Sequence, residues 1–156
     1  MRRNLRATVA LLITHGLVAC ASVPTLPPAD LSDPAWEQHR GQAVWQPADQ
    51  SRPRLIGDLL LATRDDALLV NFVKPPIPLF TARVQAGQWS IRFVERGRAY
   101  GGGGRPPAKR FIWFALPAIL DGAPPPKPWL AERPRPGVLQ LTQPKSGETL
   151  RVVLPP

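Results

Sequence analysis

Between residues 79 and 93, apolar and polar side chains alternate one for one on either side of a two-residue break. Phe80, Ala82 and Val84 share one parity, and Thr81, Arg83 and Gln85 the other. After Ala86-Gly87, Trp89, Ile91 and Phe93 alternate with Ser90 and Arg92. A period of two sends successive side chains to opposite faces of a strand. The segment is therefore an antiparallel hairpin with one buried face and one wet face, turning at Ala86-Gly87. A sheet built from such hairpins must curl on itself or be covered, because its apolar face has to leave water.

The same reading extends along the chain. Residues 54–63 and 67–73 are two apolar runs joined by Asp65-Asp66, a second hairpin. Residues 138–142 and 149–154 form a third, turning through residues 145–148. Three prolines in residues 74–78 break the pattern, since proline cannot join a central ladder. Gly101 to Gly104 read as a flexible loop; no Lys-Ser or Lys-Thr pair follows them, so they are no phosphate loop. Residues 123–136 hold six prolines and read as extended loop. Asp33 and Pro34 suit a helix cap and first position, so residues 33–39 are expected to form a short helix stopped by Gly41.

Residues 109–122 are apolar nearly all round. Pro117 interrupts them, and a proline inside a helix costs about 3 kcal/mol. Either residues 110–115 are a strand and Pro117 begins a short helix, or one helix kinks there; Gly122 ends it in both cases. The expected fold class is α+β, mainly antiparallel β: a curled sheet or unclosed half-barrel with a helix covering its concave face.

The N-terminus carries a different signal. Arg2, Arg3 and Arg6 precede a mostly apolar stretch over residues 7–18, then Leu17-Val18-Ala19-Cys20. A basic leader, a short apolar stretch and a small residue at the cut describe a secretory signal. Twelve residues are well short of the roughly 20 that cross a bilayer as a helix. The Leu-Val-Ala-Cys run resembles the lipobox of bacterial lipoproteins. That resemblance implies cleavage between Ala19 and Cys20, and a diacylglyceryl group on the Cys20 thiol. Cys20 is the only cysteine, so it has no internal disulfide partner. The expected organisation is a signal over residues 1–19, a lipidated proline-rich tether over 20–35, and one β-rich domain over 36–156. Removing residues 1–19 leaves 137 residues and takes three of the nine net positive charges with it, leaving +6. A basic exported protein meets anionic head groups or envelope polymers; nucleic acid is not an expected partner.

Catalytic chemistry has few residues to use. After the signal, His39 is the only histidine, and Cys20 is consumed by lipid. No histidine or cysteine cluster has metal-ligand spacing. Asp65-Asp66 is the one adjacent acidic pair among otherwise scattered carboxylates, and a hairpin turn accounts for it. Acid/base and nucleophilic sites need convergent partners. We therefore expect no catalytic residues, no metal and no cofactor.

What remains is apolar surface. The aromatic and aliphatic side chains on the sheet and on residues 111–119 are either a packed core or the walls of a pocket for an acyl chain. The candidate lining is Phe72, Ile77, Phe80, Trp89, Ile91, Phe93, Phe111, Trp113, Phe114 and Ile119.

Three stretches resemble the LolB-like outer-membrane lipoprotein receptors and the related LolA-like carriers. Leu116 to Pro124 is similar to that family's short helix ending in glycine and proline. Trp36-Glu37-Gln38-His39 is similar to its N-terminal segment, and Leu150 to Leu154 to its closing strand. The resemblance implies an unclosed barrel whose cavity receives lipoprotein acyl chains, handed over by a periplasmic carrier. It also implies an apolar residue on an exposed loop, for which Ile77 is the counterpart. Ala21, where aspartate would retain a lipoprotein in the inner membrane, implies the outer membrane, facing the periplasm. The alternatives are an interaction lipoprotein with a filled core, or an envelope hydrolase with a polar cleft.

Overall fold

The structure is a computed structural model, and it describes residues 23–155. Ala19 and Cys20, the expected cleavage and lipid positions, lie outside the described residues.

Nine strands form one sheet: β1 (Glu37–Gln46), β2 (Leu55–Arg64), β3 (Ala67–Lys74), β4 (Ile77–Gln85), β5 (Gln88–Phe93), β6 (Arg98–Gly103), β7 (Leu130–Arg135), β8 (Val138–Gln143) and β9 (Glu148–Val153). A turn of 3-10 helix (Ile112–Ala115) and a five-residue helix, α1 (Leu116–Leu120), separate β6 from β7. The strand order is β6-β5-β4-β3-β2-β1-β9-β8-β7, so β6 and β7 are free edges and the sheet is not closed. All neighbours are antiparallel. The sheet is two hairpin meanders joined where the last strand, β9, returns to pair with the first.

The alternation at residues 79–93 becomes β4 and β5. Phe80 stands opposite Phe72 and Phe93, and Ala82 opposite Val70 and Ile91, so apolar side chains of three strands share one face. That face continues through Leu61, Trp45 and Leu150, all three buried. The 3-10 turn packs its side chains into the same cluster.

Several segments depart from expectation. Residues 33–39 do not form a helix. Asp30 and Asp33 each accept a backbone N–H two residues on, from Ser32 and Ala35, which makes turns. The chain then enters β1, where the ladder that Glu37, Gln38 and His39 make with β2 outweighs the local capping preference. Gly41 therefore stops nothing. It lies inside β1, where a Cβ would collide with the Val153 carbonyl oxygen and sit 2.8 Å from Leu154 Cδ2.

The glycine run is edge strand β6 for three of its four residues. Gly101 has no room for a side chain: a Cβ would lie 2.6 Å from Pro24 Cδ and 2.9 Å from the Trp89 carbonyl oxygen. Within residues 123–136, β7 is an exposed edge strand paired to β8. The proline break at residues 74–78 is shorter than expected. Ile77 and Pro78 belong to β4; a register shift between Phe72 and Val73 sets Pro78 opposite Val73, and the ladder ends one pair further on at Lys74 and Ile77. Residues 110–115 contain no strand. Instead the 3-10 turn leads into α1, with Pro117 in its first turn, where no intrahelical N–H is missed. Gly122, at φ 100°, ends it.

Residues 23–35, the described part of the expected tether, and Trp36 after them form a strap across the second face of the sheet. Leu26 is buried, and its carbonyl accepts a hydrogen bond from Arg83 Nη1 at 2.8 Å. Ala29 and Leu31 pack beside Trp36, Ala62, Ala67 and Leu69. Arg64 Nη1 lies 2.7 Å from Asp33 Oδ2, with its guanidinium 5.0 Å over the Trp36 ring. Proline sets an extended path here, and the interspersed Leu26, Leu31 and Trp36 give that path apolar surface to bury.

Candidate functional site

The 3-10 turn places Trp113 at the centre of the buried face, 1% exposed. Its ring centroid lies 4.4 Å from that of Phe80, 5.6 Å from Phe72 and 5.7 Å from Trp45. Phe111 and Phe114, flanking it in sequence, reach a second group of rings. Phe111 contacts Phe93 and Tyr100, and both contact Trp89, which is half-buried. Tilted and edge-on pairs of this kind are the preferred aromatic arrangements.

Of the ten candidate cavity residues, Phe72, Phe80, Ile91, Phe93, Phe111, Trp113, Phe114 and Ile119 are thus brought into one buried cluster, with Trp89 at its margin. They pack against one another. Ile77 is not among them: it stands 55% exposed at the β3–β4 tip.

A hollow opens beside this cluster instead. Where β1 begins and β2 ends, the buried face runs on past the last aromatic ring. Its floor is Leu61 and Leu139, and its walls are Leu120 of α1, Leu154 and the β7 edge with Arg133 and Arg135. The groove holds about 700 Å³. Pro117, Leu120 and Asp121 of the five-residue α1 and its C-terminal end border it. Arg133 fixes its far wall. Its Nη2 donates to the carbonyl of Ile119 and, at 3.5 Å, to that of Leu120. A cation is favourably placed at the carbonyls of a helix C-terminus.

His39 and Glu37 enter the groove from β1. They are two residues apart and so on one face, with His39 Nε2 3.2 Å from Glu37 Oε1. His39 stands opposite Leu61. None of the ten candidate cavity residues lines this groove. The signal that leads to it is the parity of β1: Trp45, Ala43, Gly41, His39 and Glu37 share one face, which turns polar only at its end. A helical reading of residues 33–39 hides that parity.

The opposite end of the buried face is closed by stacked cations. Arg96 lies over Trp45 and Phe93, at 5.9 and 5.8 Å, and Arg110 over Tyr100 and Phe111, at 4.7 and 5.0 Å. Between them is a smaller hollow of about 270 Å³ containing Glu148. Burial pushes the Glu148 carboxyl above its usual range, opposed by a 2.8 Å hydrogen bond from Trp45 Nε1 and by the charge of Arg96.

Among the described residues, no group of three or more His, Cys, Asp or Glu side chains is placed to hold a metal ion. No helix among them is long and apolar enough to cross a membrane. No family model matches the sequence, and no curated protein matches it significantly.

Proposed function

We propose that this chain is a lipid-anchored envelope protein of the LolB-like kind, whose sheet curls into an unclosed half-barrel and holds an acyl chain in the groove beside α1. In this reading the 3-10 turn and α1 lie over the concave face, with Trp113 plugging one part of it and the groove left open in the other. The observation that carries it is the groove. Its volume of about 700 Å³ falls within the roughly 300–1,000 Å³ typical of small-molecule sites, and it combines an apolar floor of Leu61 and Leu139 with a polar rim of Glu37, His39, Thr63, Asp121, Arg133 and Arg135.

Anchoring rests on Cys20 after the Leu-Val-Ala run. Two or more fatty chains give lasting attachment, at about 0.8 kcal/mol per buried methylene. The outer membrane, facing the periplasm, follows from Ala21. The groove's guest is an acyl chain of a second lipoprotein or of a lipid, delivered by a periplasmic carrier. The reading is non-enzymatic.

The test is native mass spectrometry of gently extracted protein, with Leu120→Trp narrowing the groove. Acyl lipid on the wild type and its loss in the variant support the reading. A folded wild type that carries and accepts no lipid overturns it. The filled aromatic cluster favours a second reading, an interaction lipoprotein without a ligand, and that outcome would select it.

A further inference from the structure

The strap ends at a fixed place. Val23 and Pro24 lie against Gly101 of β6, 3.0 and 2.6 Å from where its Cβ would be. Cys20 is three residues earlier in sequence. An extended chain spans at most about 3.6 Å per residue, so Cys20 stays within about 11 Å of Val23 whatever path lies between. A lipid on Cys20 therefore does not hold the domain at the end of a long leash. It brings the strap face of β4, β5 and β6 to the membrane surface.

The chemistry of that face suits such a position. Arg83 and Arg92 are diagonal neighbours across β4 and β5, because Arg83 pairs with Ser90 and Thr81 with Arg92. With Pro24, Thr25 and Leu26 they line a shallow depression of about 280 Å³ that contains no acidic residue. Arg83 is held by the Leu26 carbonyl. Arg92 is exposed and, among the described residues, makes no ion pair. Each arginine near an anionic membrane surface adds about 1 kcal/mol, or roughly fivefold in affinity.

We propose that the strap face of β4–β6, centred on Arg92, is a docking surface for the anionic phospholipid head groups of the membrane that holds the Cys20 lipid. The proposal rests on the reading of Cys20 as lipidated. Its consequence is an orientation. The groove opens on the opposite face of the sheet, so docking turns it toward the aqueous side, where a soluble carrier can reach it.

The test uses the mature lipidated protein in vesicles of phosphatidylethanolamine and phosphatidylglycerol. A fluorophore is attached at Gln88→Cys, on the Arg92 face of β5, or at Lys145→Cys, in the β8–β9 turn. An acylated Cys20 has no free thiol to compete for the label. Lipids spin-labelled at the head group should quench the residue-88 site strongly and the residue-145 site weakly. That preference should be lost with Arg92→Glu, in pure phosphatidylcholine, and at about 1 M salt, where screening acts within about 3 Å. Equal quenching at both sites in the anionic vesicles overturns the docking face. The mass of the N-terminal peptide separates the two claims. A lipidated Cys20 with equal quenching sinks the orientation alone, whereas an unlipidated one removes the anchoring and the orientation together.

Discussion

Replacing Trp113 with alanine tests whether the aromatic cluster is a solid plug or a roof over a hollow. The ring is 1% exposed and meets Phe80, Phe72 and Trp45 at 4.4 to 5.7 Å. A buried tryptophan removes about 150–250 Å² from water, worth about 4–6 kcal/mol at roughly 25 cal/mol per Å². Compactness of the unfolded chain lowers that by about 10–40%. The result, about 3–5 kcal/mol, matches the usual cost of truncating a large core aromatic. It is a large share of the roughly 5–15 kcal/mol that holds a domain together. With a urea slope of about 2 kcal/mol per M, the unfolding midpoint should fall by about 1.5–2.5 M. Trp113→Phe, which keeps a ring among the other three, should lose less than half as much. Urea titration followed by far-UV circular dichroism reads both. A midpoint shift below about 0.5 M for the alanine variant, under 1 kcal/mol on that slope, would refute the plug.

Three other outcomes follow from the geometry. Glu148 has its carboxyl pushed above the usual range, chiefly by burial, so the folded state binds its proton more tightly than the unfolded chain does. Its favourable contribution is complete below the ordinary glutamate pKa and is lost as pH rises through the elevated folded value. Glu148→Gln, which keeps an acceptor for Trp45 Nε1, should be more stable than wild type at neutral pH and similar to it at low pH. Melting curves that show the same offset at both pH values would contradict this. Trp36 is buried with its Nε1–H unpartnered, so Trp36→Phe removes an unsatisfied donor and should change stability by less than about 1 kcal/mol. Trp36→Ala should cost about 3 kcal/mol by chemical denaturation, and equal effects of the two would exclude strap packing as its role. Gly41→Ala places a methyl on the Val153 carbonyl, and overpacking of this type costs about 1–3 kcal/mol. A melting temperature lower by several degrees is expected in calorimetry, and an unchanged one would mean that β9 does not press on β1 there.

The three hairpins were readable because a period of two and a two- to four-residue turn are local. Residues 79–93 alone predict β4, β5 and the Ala86-Gly87 turn, and the register then brings Phe80, Ala82, Ile91 and Phe93 to one face. Pro117 near the start of a short helix was readable for a similar reason, since proline's missing N–H restricts where it can stand. β1, β6 and β7 were not readable. Glu37–Gln46 has no strong strand composition and is a strand because β2 and β9 present ladders on both sides of it. Glycine-rich β6 and proline-containing β7 hold their form as edges of a sheet already built. The candidate site suffered most, because the groove depends on where β1 begins and how soon α1 ends relative to distant strands.

The amino-acid sequence by itself determined that the chain makes antiparallel hairpins with one greasy face, and that a basic, apolar leader ends at a single cysteine. Those properties depend on side-chain alternation and on neighbours a few residues apart. Only the tertiary structure decided that Trp113 packs against Phe72, Phe80 and Trp45, that the groove lies beside α1, and that residues 23–36 strap the second face. Each of these depends on which surfaces far apart in the chain meet, and burial rewards such meetings without leaving a periodic mark along the sequence.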